Sequence, residues 1–189
     1  MTSKSTGAVA SLSEGWKIGI WTGFVTVASI LFSWALACVA PFAAIAAIAA
    51  LTVSRANAFL LVGVVFAINQ AIGFLVLGYP TTLETFGWGA AIGVAAFAAT
   101  FASTEAMRKT DDIRVAAGMG FLGAFVAYEF VLIASTAVLP AGGGFSFAVI
   151  GQVFWINALA FAGLLACRWL GQTAGLLASG GRQVLAARG

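Results

Sequence analysis

From residue 59 to residue 77 the chain carries no charge, and only Asn69 and Gln70 interrupt its apolar side chains. A run of about twenty such residues, at about 1.5 Å each as a helix, matches the roughly 30 Å hydrocarbon core of a bilayer. In lipid every backbone N–H and C=O must be satisfied within the structure, so such a run has to be helical. Comparable runs recur at residues 18–39, 86–103, 115–139 and 145–170, and a shorter, alanine-rich one at 42–53. Charged residues make up 8% of the chain, against about 25% in soluble domains. The expectation is an all-α polytopic membrane protein, a bundle of six transmembrane helices over residues 16–170. Residues 1–15 form a cytoplasmic tail and 171–189 a second tail or interfacial helix.

The segment at 42–53 is too short to cross the core by itself and reads as a half-helix held by its neighbours or extended from before Pro41. Ala43, Ala46, Ala47 and Ala50 recur on it at helical spacing. Small residues in this pattern let helix backbones approach closely. They serve either packing within the chain or docking of another membrane subunit.

The basic residues set an orientation. With six spans, Lys4, Lys17, Arg55, Arg108, Lys109, Arg114, Arg168, Arg182 and Arg188 all fall on one side, whereas five spans with a re-entrant second segment split these nine as seven and two, so six are taken. The positive-inside rule then places both termini in the cytoplasm and the protein in the inner membrane. No basic cluster alternates with exposed aromatics, so no nucleic-acid partner is expected. The chain has no histidine, which removes the commonest metal ligand and general base. Cys38 and Cys167 show no metal-binding spacing and fall at opposite ends of the bundle, too far apart for a disulfide. Neither metal nor cofactor is expected, and no nucleophile–base pair or phosphate loop suggests an enzyme.

The polar residues inside the spans are few and share a depth. Asn69 and Gln70, Glu129, and Asn157 lie in the outer half or middle of three different helices. Polar groups at such positions are costly in lipid and mark ligand or ion sites by default. They are expected to face one outward-opening cavity, with Trp34, Trp155 and Tyr128 as aromatic walls. The structural alternatives are hydrogen bonds between helices for Asn69 and Gln70, and for Glu129 a bond to a neighbour such as Tyr128 or Asn157. Glu84 reads as a solvated loop carboxylate.

Pro41-Phe42-Ala43-Ala44-Ile45, the short alanine-rich helix, the turn at Ser54-Arg55 and the span ending in Gly78-Tyr79-Pro80 resemble the second and third helices of a known family. These are the substrate-binding S components of energy-coupling factor transporters. The resemblance implies six helices, cytoplasmic termini and a site near the outer face. It also implies partnership with a transmembrane coupling subunit and ATPases. That family's small-residue docking motif lies on its first helix; here the small residues Ala35, Ala37 and Ala43 straddle the first loop. The function expected is capture of a small micronutrient or vitamin-like solute. Two alternatives stand beside it: a non-catalytic structural or assembly subunit, and an ion-coupled carrier in which Glu129 titrates.

Overall fold

Alanine has the highest helix propensity of any residue, and the alanine-rich stretch after Pro41 forms the first continuous helix, α1 (Phe42–Thr52). The computed structural model describes residues 40–140 and 145–173, together with Trp16, Gly19, Ile20, Gly23, Phe24 and Val27, which are helical. Four long helices follow: α2 (Arg55–Leu75), α3 (Leu83–Met107), α4 (Ile113–Ser135) and α5 (Phe147–Thr173). All four are long and apolar enough to cross a membrane. Among the described residues the architecture is therefore all-helical and suited to a multi-pass membrane protein. Apart from the six helical residues named, the span expected at 18–39 lies outside the described part.

The segment at 42–53 is not a span of its own. At about 1.5 Å per residue, the 11 residues of α1 reach only about 16 Å. Every side chain from Phe42 to Leu51 is buried, and α1 packs against each of the four long helices. A helix that is apolar all round belongs in a core. Ala43, Ala46, Ala47 and Ala50 are covered by this chain's own helices, so the docking alternative for that face does not hold. Their small size is what lets four neighbours close around α1. Larger side chains instead point outward from the long helices, as Leu60, Val94, Val126, Phe130 and Leu159 do, where lipid can cover them.

The helix ends follow local chemistry. The link between α1 and α2 is only Val53 and Ser54. Ser54 occupies the N-cap position of α2 without a side-chain bond. Gly78, at φ 68°, turns the chain after α2 so that the Tyr79 N–H donates to the Gly73 carbonyl at 3.0 Å. The Tyr79 ring then lies on Gly73, where a Cβ would come within 2.6 Å of it. Thr82 caps α3 by accepting from the Thr85 N–H, and Asp112 caps α4 by accepting from the Arg114 and Val115 N–H groups, in the manner preferred at helix starts.

One end of the bundle is charged. Arg55, at the start of α2, pairs with Glu105 near the end of α3 at 2.7 Å, and Arg108 approaches the same carboxylate at 3.8 Å. The Arg55 guanidinium also lies 5.2 Å from the Phe101 ring centre. Lys109, Asp111, Asp112 and Arg114 occupy the α3–α4 turn beside them. The opposite end, with the turn at 78–82, carries Glu84, exposed in the first turn of α3. Cys167 is free and exposed on α5; Cys38 lies outside the described residues.

Candidate ligand cavity

Because α1 stops about halfway along the long helices, its N-terminal end lies inside the bundle rather than at a surface. Starting a helix there exposes amide donors to an apolar interior, where an unpaired N–H is costly. Pro41 supplies no side-chain cap. The acceptor comes from a distant part of the chain: Asn157, in the middle of α5, accepts the Ala44 N–H on its Oδ1 at 3.1 Å. Its Nδ2 donates to the Val153 carbonyl one turn earlier at 3.0 Å. Asn157 is 1% exposed, and both ends of its amide are engaged. It acts as a remote cap for α1.

Beyond that end of α1 lies a cavity of about 240 Å³, walled by all four long helices and by the Ala40–Phe42 entry to α1. Asn69 reaches it from α2, and Tyr128 and Glu129 from α4. Leu132, Val149, Ile150 and Val153 make its aliphatic wall. Tyr128 stacks on Phe42, with ring centres 6.3 Å apart, which fixes the floor. Toward the end opposite the charged loops the wall is Trp88 and Phe145, stacked with centres at 5.8 Å. The Trp88 indole N–H donates to the Pro140 carbonyl at 3.2 Å, which anchors the ring to the α4–α5 connection.

Glu129 is the only carboxylate among the described residues lining this cavity, and no basic side chain accompanies it. It is 7% exposed. No hydrogen bond links it to Tyr128 or to Asn157, the partners considered for a purely structural role. An ionised carboxylate here carries one full negative charge. The N-terminal end of α1 offsets about half a charge at most, and Asn157 already occupies one of its amides. With Glu129 ionised the cavity is negative, polar at one side and aromatic at both ends.

The residues expected to share a site are thus divided. Asn69, Tyr128 and Glu129 line one cavity. Gln70, next to Asn69, turns instead toward α3, where its Oε1 lies 3.2 Å from the position a Cβ on Gly89 would take. The missing side chain of Gly89 makes room for it. Asn157 serves the backbone of α1, as described above. Trp155 is 66% exposed on the outer face of α5, two residues away from Asn157 and therefore turned well round the helix. Trp34 lies outside the described residues.

Three aromatic residues of the cavity were not singled out from sequence as site residues: Trp88, Phe145 and Phe42. Each had a local signal. Trp88 stands between Gly87 and Gly89 at the end of a span, Phe145 follows the glycine-rich loop, and Phe42 follows Pro41 at the start of the short helix. No protein-family model matches the chain, and comparison with curated proteins and with solved structures likewise returns no match.

Proposed function

We propose that this is a membrane transport protein that binds a compact, positively charged organic solute in the cavity above α1. The observation that carries the proposal is Glu129 set in an apolar and aromatic chamber with Asn69 and, among the described residues, no cationic side chain. A carboxylate in such surroundings is costly unless something positive joins it. A cationic solute supplies that charge, and the faces of Trp88, Tyr128 and Phe145 add cation–π attraction worth about 0.5–2 kcal/mol per well-placed ring. Asn69 gives a polar contact that orients the ligand. A volume of about 240 Å³ suits a small ligand of micronutrient size rather than a lipid or peptide.

The position of the cavity supports uptake. It lies toward the end opposite the Arg55–Glu105 cluster, and the distribution of basic residues assigns that cluster to the cytoplasm of an inner-membrane protein. Four crossings, α2 to α5, return the chain to the side where it starts, so the end of α5 is then cytoplasmic and the cavity faces outward. In the S-component reading the protein is the capturing subunit, and a coupling subunit with ATPases supplies energy. Since α1 is buried, such a partner docks on the outer faces of the long helices.

A second reading has Glu129 titrate and couple transport to a proton, favoured by its standing as the sole carboxylate among the described residues lining the cavity. Uptake into vesicles separates the two. ATP-independent uptake driven by a pH gradient supports the carrier. Uptake only with ATP and a copurifying ATPase supports the S-component arrangement. Stoichiometric copurification with a larger complex and no retained small molecule supports an assembly subunit and refutes both.

A further inference from the structure

A second hollow opens at the charged end of the bundle, between the first turns of α4 and the last turns of α5, with a volume of about 530 Å³. We infer that it binds an anionic phospholipid, with the headgroup phosphate between Arg114 and Arg168 and an acyl chain along Phe161 and Leu165.

The level is right for a headgroup. Arg168 donates from Nη1 to the Leu51 carbonyl at 3.3 Å, at the C-terminal end of α1. That is the end where Arg55 meets Glu105 and the charged α3–α4 turn lies. Trp169, 64% exposed beside Arg168, is the kind of residue that settles at the membrane–water boundary.

The charge is also right. Two arginines line the hollow, and among the described residues no acid does. Arg114 forms no ion pair with a described residue. The nearest acid in sequence, Asp112, uses its Oδ1 to cap α4 on the Arg114 and Val115 amides. Basic pockets between membrane helices on the cytoplasmic side are recognised by acidic headgroups.

The shape then distinguishes a lipid from a free anion. Inorganic phosphate satisfies the arginines but leaves the apolar wall of Phe161 and Leu165 uncovered. A zwitterionic lipid covers the wall and brings a phosphate, but its own headgroup cation offsets that charge and is repelled by the two arginines. A Cβ at Gly118 would meet nothing within 4 Å, so this side of the hollow is open for a chain to enter.

The test is native mass spectrometry of the full-length protein from mixed micelles holding equal amounts of phosphatidylglycerol and phosphatidylcholine. Each arginine at an anionic headgroup contributes a factor of about five in affinity. The wild type should therefore retain phosphatidylglycerol over phosphatidylcholine by about ten-fold or more. Arg114→Gln, at an exposed position, should lower that preference about five-fold. Gly118→Leu keeps both charges, fills the hollow and should reduce retention of both lipids. Equal retention of the two lipids by the wild type would overturn the inference. So would wild-type preference in Arg114→Gln, wild-type retention in Gly118→Leu, or displacement of the lipid by inorganic phosphate, which would make this a site for simple anions.

Discussion

Asn157→Leu removes the acceptor that holds the N-terminal end of α1 and keeps the number and branching of the side-chain heavy atoms. In the wild type the Asn157 Oδ1 takes the Ala44 N–H at 3.1 Å in a site 1% exposed. Leucine leaves that N–H buried without a partner, which costs about 1–3 kcal/mol. Loss of a helix cap on its own typically costs about 1 kcal/mol, so a total near 2 kcal/mol is expected. At about 2–4 °C per kcal/mol for a chain of this size, the melting temperature in detergent should fall by about 4–8 °C. The matched control is Gln152→Leu, exposed on α5, which should change stability by less than about 0.5 kcal/mol. Both are measured by thermal unfolding in the same micelle. If Asn157 instead served a ligand, its replacement would weaken binding and leave the melting temperature of the ligand-free protein near wild type. That result would refute the remote-cap argument.

Further consequences concern packing, charge and orientation. Ala47→Leu should destabilise by about 1–3 kcal/mol through overpacking, because Ala47 is fully buried among the long helices; the exposed Val94→Leu should be neutral in the same unfolding assay. The Arg55–Glu105 pair is partly exposed, so a double-mutant cycle should give only about 0.2–1 kcal/mol of coupling, shrinking in high salt. In a cysteine-free background, an impermeant thiol reagent added to intact cells should label Thr81→Cys and not Lys109→Cys, both at exposed positions on opposite ends of the bundle; the reverse pattern would contradict the outward-facing cavity.

Much of this fold was legible because the bilayer limits the options. The runs at 59–77, 86–103, 115–139 and 145–170 correspond to α2 through α5, whose ends differ by a few residues where capping residues such as Thr82 and Asp112 decide. The central place of α1 was harder. An alanine-rich helix has no apolar side and polar side to compare, so its pattern leaves open what surrounds it. Depth along a helix was readable, and it brought Asn69 and Glu129 to one cavity. Direction around a helix was not. Gln70 faces Gly89 because that glycine leaves space, a pairing across two helices with no mark in either run. Asn157 answers an amide 113 residues away, a need created only when α1 starts inside the bundle. Trp155 points outward although Phe154 beside it packs against Phe121 and Phe125. Neighbouring aromatic residues carry no signal in sequence for which of them faces the core.

The central claim is that Glu129 makes the cavity above α1 a site for a small cation. Glu129→Gln preserves the shape and removes the charge. A charged hydrogen bond contributes about 1.5–3 kcal/mol, so the substitution should weaken binding by about ten- to hundred-fold while folding is retained. The direct measurement is mass spectrometry of small molecules kept by the gently purified wild-type and Glu129→Gln proteins. The account predicts a compact organic cation retained by the wild type and lost from the variant. A neutral or anionic molecule retained equally by both would contradict it.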